Sequence, residues 1–131
     1  MRSSAASSGE GFMSALDKAV AELEAKRAKD DASRRARQEA AGAFLKEFFD
    51  ADLAPSTKLR DHGVQAMFDG RRILLQKPEE GVYAEAMMVV IGEQGEIDVN
   101  GRSLGVVIAD TEDRATKKNQ LIAEIISHFS L

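Results

Sequence analysis

The sequence predicts an α+β fold, with an N-terminal helical arm, a five-stranded antiparallel β-meander and a C-terminal amphipathic helix packed on the sheet. Three observations predict it. From Ser14 to Leu53 there is no proline and one glycine, Gly42, among Ala, Glu, Lys, Arg and Leu, residues that lose little on entering a helix. From Val64 to Ala109 short runs of Val, Ile, Leu and Met alternate with turn-forming sequences. After Thr111, Leu121, Ile122, Ile125, Ile126 and Phe129 recur at helical spacing.

Residues 1–12, serine-rich and without apolar periodicity, read as a flexible leader or tag, with Met13 as a candidate native start, or equally as a native disordered tail. Residues 13–39 read as a charged helical arm, and residues 40–131 as the α+β core domain. Ser14 is placed to cap the first helix, with Asp17 three residues on. Leu16, Val20 and Leu23 share one face, and Ala40, Phe44 and Phe48, with Leu45, Phe49 and Leu53, share another. Residues 24–39 are charged on every side, so they form either a solvated bridge within one long helix or a break between two. Pro55 ends the helix in both cases, and a loop is expected from Ser56 to Gly63.

Val64–Phe68, Arg71–Lys77, Val82–Ile91, Glu96–Val99 and Arg102–Ala109 are the expected strands. Asp69-Gly70, Pro78 to Gly81, Glu93-Gln94-Gly95 and Asn100-Gly101 stand between them, and such short connections leave no room for crossover helices. In the third strand both faces are apolar from Ala86 onward. That pattern predicts a central strand covered on both sides, by the C-terminal helix on one and by the Phe44/Phe48 helix or a second copy on the other. Met67, Met87 and Met88 are expected in the core, and at least one of Arg71 and Arg72 in solvent. Asp110 or Thr111 is expected to cap the last helix, with Glu112 and Asp113 favourable in its first turn.

Composition narrows the chemistry. The chain has no cysteine, which removes disulfides, thiolate nucleophiles and cysteine-bound metal. Its longest apolar run, Ala86 to Ile91, is far short of the roughly 20 residues of a membrane span, and no signal-peptide pattern opens the chain. A cytoplasmic protein with no membrane partner is the expectation. The two histidines, His62 and His128, are distant in sequence and lack zinc-site spacing; His62 reads as a surface turn and His128 as a group suited to a helix C-terminus. Carboxylates are scattered, glycines fall singly, and Ser56 and Ser103 sit in no nucleophile motif. No catalytic residue, metal or cofactor is therefore expected.

The net charge of −4 conceals an asymmetry. Residues 26–37 carry Lys26, Arg27, Lys29, Arg34, Arg35 and Arg37 against Asp30 and Asp31, whereas residues 40–131 carry a net charge of −5. The first functional expectation is a non-enzymatic protein-interaction module, a homo-oligomer or partner-binding protein that uses Leu16, Val20 and Leu23. The second is nucleic-acid binding through the basic segment, although that segment has no aromatic residue to stack on bases. A small-molecule binder or enzyme with a pocket between sheet and C-terminal helix ranks third.

Overall fold

The structure is a computed structural model and describes residues 14–78, 85–108 and 110–131. The chain divides into two units between Ser33 and Arg34. Helix α1 is continuous from Ala15 to Phe48. Its first turn begins as the sequence predicts, with the Asp17 amide donating to Ser14 Oγ at 3.0 Å. Up to Ser33 its residues are exposed apart from the half-buried Asp31, consistent with charge on every side. The expected leader, residues 1–12, lies outside the described residues.

From Arg34 onward the fold is one core. Ala41, Phe44, Leu45 and Phe48 bury the inner face of α1. The helix then loosens into a π-turn, Phe49–Leu53, in which the Ala54 amide donates to Phe49 O at 2.8 Å. Pro55, which has no amide to give, follows directly. The expected loop that comes next contains a short helix, α2 (Thr57–Asp61), whose Ser56 cap accepts the Leu59 amide at 3.2 Å. Five residues are too few for periodicity to announce.

The sheet is an antiparallel meander in the order β1 (Gln65–Phe68), β2 (Arg72–Lys77), β3 (Glu85–Ile91), β4 (Glu96–Val99) and β5 (Arg102–Val106). The Pro78–Gly81 connection, the expected strand residues Val82 to Ala84, and Ala109 fall outside the described residues or at their edge. Asn100 and Gly101 join β4 to β5 with φ of 50° and 86°, the double positive φ of a type I′ hairpin turn that suits the sheet twist. Helix α3 (Thr111–Phe129) is capped by Asp110, which accepts the Glu112 amide at 2.6 Å.

Alternation places Ile73, Leu75, Met87, Val89, Ile97 and Val99 on the inner face, all buried in one cluster with Phe44, Leu45, Phe48, Leu121, Ile125 and Phe129. Each such side chain contributes about 1.5–3 kcal/mol through the area it removes from water. Both helices thus cover the same face of the sheet. This corrects one of the two expected covers: the Phe44/Phe48 helix lies with α3 on the inner face, so within one chain the other face of β3, with Ala86, Met88 and Val90, is left open. Of the methionines expected in the core, only Met87 is there; Met67 and Met88 stand on the open face, 48% and 37% exposed. Arg71 and Arg72 are both exposed.

At the start of α3, Asp113 accepts from Lys117 Nζ at 2.8 Å and from the Ile108 amide at 3.0 Å. The Lys117 bond first, and the Ile108 amide next, hold the Asp113 carboxyl below its ordinary value of 3.8. A lowered folded-state value means stability that is present above the unfolded value and lost as pH falls through the folded one. Denaturant melts of wild type and Asp113→Asn should therefore show a stability gap that is constant above about pH 5 and closes as the solution is acidified below about pH 4. A gap independent of pH would show that Asp113 acts only through its shape.

Candidate functional site

The large apolar side chains left exposed among the described residues fall mainly in three places, namely the arm, the open face of the sheet, and a cleft beside α3. On the arm, Leu16 is 72% exposed, Val20 47% and Leu23 46%. A helix advances about 1.5 Å per residue, so the three form a stripe about 10 Å long on one side of α1. At about 100° per residue, Asp17 and Glu24 border that stripe on one flank and Lys26 on the other. Nothing among Ser14 to Ser33 is buried.

The basic segment is divided between the two units. Lys26, Arg27 and Lys29 are exposed on the arm. Arg34, half-buried, and Arg35, exposed, open the core unit, whereas Arg37 is engaged in its packing. The Arg37 guanidinium donates to Gln94 O at 2.9 Å and to Gln94 Oε1 at 3.0 Å, and Gln38 Nε2 donates to Glu93 O at 2.8 Å. These bonds anchor the β3–β4 turn to α1. A phosphate contact through Arg37 would have to break them, whereas Lys26, Arg27 and Lys29 remain open to solvent.

The sequence shows the apolar alternation of β3 but not the rows that cross the open face, because residues of different strands meet only through pairing. Met67 pairs with Leu74 and Leu74 with Met88, which lays an apolar row across β1, β2 and β3. In the next row Arg72 pairs with Val90 and Val90 with Asp98, so Val90 has a cation on one side and a carboxylate on the other. Arg72 Nε is 2.9 Å from Asp69 Oδ2 in an exposed ion pair, which leaves the rest of its guanidinium available.

The cleft has a volume of about 400 Å³ and lies between the π-turn and α2 on one side and α3 on the other. Leu53, Leu59, Ile122, Ile125 and Ile126 give it an apolar lining, with Ser56, Lys58 and His62 also present. His62 Nδ1 lies 2.9 Å from Lys58 O, so the ring is tied to its own turn's backbone. Asp52, the acid that lines the cleft, is paired with Lys118 at 3.1 Å. Ser56 Oγ is engaged as a helix cap. These groups are thus committed to structural contacts and do not converge as nucleophile, base and orienting acid would. Among the described residues no cluster of three or more His, Asp or Glu side chains suits a metal ion, and no helix is long and apolar enough to cross a membrane.

Comparison of the chain with family models, with curated proteins and with solved structures finds no match.

Proposed function

We propose that the chain is a non-enzymatic protein-interaction module that self-associates through its N-terminal helix. The observation that carries this reading is the stripe of Leu16, Val20 and Leu23, three large apolar side chains exposed among the charged residues and alanines of the arm. Fully burying one such side chain contributes about 1.5–3 kcal/mol, and a helix with a short apolar stripe obtains that contribution only against another surface. Within its own unit no residue is buried that could supply one.

Static light scattering on Leu16→Asp/Leu23→Asp tests the reading. Wild type should scatter as about twice its 14.2 kDa mass and the variant as a monomer, with unchanged circular dichroism because both positions are exposed. A variant that remains as associated as wild type would remove the arm from the interface.

A further inference from the structure

The proposed self-association leaves open which surface receives the arm, and the open face of the sheet has the chemistry to do so. Resting on that reading, we propose that the Leu16/Val20/Leu23 stripe of one copy docks on the open sheet face of a second copy, along β3, with Glu24 over Arg72 and Lys26 over Asp98. A two-fold axis then makes the exchange reciprocal, each copy giving an arm and receiving one.

The two surfaces match in length. Ala86, Met88 and Val90 run along the open face of β3 over about 13 Å at 3.3 Å per residue, enough for the stripe of about 10 Å. They also match in charge. The stripe has acids, Asp17 and Glu24, on one flank and Lys26 on the other, while Val90 lies between Arg72 of β2 and Asp98 of β4.

Handedness decides whether the match can be made. Asn100 N donates to Met88 O at 2.9 Å, and Met88 N donates to Asn100 Oδ1 at 2.8 Å, so both backbone groups of Met88 point towards the β4 side. For an L-residue whose side chain faces the viewer on an upward-running strand, those groups point right. Seen from the open face with β3 running upward, β4 is therefore on the right and β2 on the left. A right-handed helix laid on that face in the same direction, stripe downward, carries residue 24 to the left and residue 26 to the right. Leu23 then meets Val90, Glu24 falls on the Arg72 side and Lys26 on the Asp98 side. The reverse direction puts the acidic flank beside Asp98. Only the arm running parallel to β3 satisfies both charges.

Charge exchange on the full chain tests this by sedimentation velocity. Glu24→Arg alone and Arg72→Glu alone should each raise the dimer Kd about tenfold, and the two together should restore it to within about threefold of wild type. Lys26→Glu with Asp98→Lys should behave the same way and does not disturb the Arg72–Asp69 pair. Met88→Asp, at an exposed position, should abolish association while leaving the circular dichroism intact. If Leu16→Asp/Leu23→Asp dissolves the dimer but Met88→Asp and each of the four single charge reversals leave it unchanged, the arm pairs with another arm; self-association stands and docking on the sheet is overturned. A wild-type chain that is monomeric at every concentration overturns both.

Discussion

Leu121→Asp should leave the chain unfolded. Leu121 is 0% exposed and sits in the cluster that joins α1, the inner face of the sheet and α3. The substitution removes a packed side chain, worth about 2–5 kcal/mol, and places an uncompensated carboxylate where it was. A domain of this size has about 5–15 kcal/mol of stability in all, so the loss is comparable to the whole. Gln120→Asp, one residue earlier and exposed, should change stability by no more than about 0.5 kcal/mol. Far-ultraviolet circular dichroism and denaturant melts of the pair measure the contrast; a cooperative melt for Leu121→Asp would place Leu121 outside the core.

Gly95→Ala should be costly for a different reason. Gly95 has a φ of +82°, and an added Cβ would lie 2.6 Å from Arg37 Cβ and 2.7 Å from the Arg37 carbonyl carbon. The left-handed conformation alone costs about 1–2 kcal/mol for an L-residue. Here the neighbour is helix backbone, so relief requires the β3–β4 turn to leave α1, breaking the Arg37–Gln94 and Gln38–Glu93 bonds. A loss of about 3 kcal/mol is expected. Gly101→Ala is the internal comparison: its φ is +86° but nothing lies within 4 Å of the added Cβ, so it should lose only about 1–2 kcal/mol. Equal losses would mean that the close approach of turn and helix contributes nothing.

Turns and caps were legible because their chemistry is local. Asn100-Gly101 has its φ preference within two residues, and Ser14 and Asp110 find their amide donors within three. The meander followed from the short turns, which forbid crossovers. Several features were illegible for definite reasons. Alternation in β3 shows two apolar faces but not where α1 goes, and the placement of α1 beside α3 is what exposed Met67 and Met88. The row Arg72–Val90–Asp98 exists only in the register of three strands. The cleft draws Leu53, Leu59, Ile122 and Ile126 from segments about half the chain apart. Arg37 reads as one more charge in a basic segment until the β3–β4 turn is seen to fold onto it. On the arm, by contrast, the periodicity of Leu16, Val20 and Leu23 required no tertiary information, and the structure leaves all three exposed.

If the arm is the chain's means of association, its removal should abolish the dimer, and sedimentation equilibrium measures this. The full chain should be compared with a chain beginning at Arg34, where the core unit starts, at concentrations up to about 0.5 mM, because a stripe this short supports only modest affinity. The full chain should approach twice 14.2 kDa as concentration rises, and the shortened chain should melt cooperatively and stay monomeric throughout. A full chain that holds at 14.2 kDa over the whole range, or a shortened chain that dimerises as well as the full one, would contradict it.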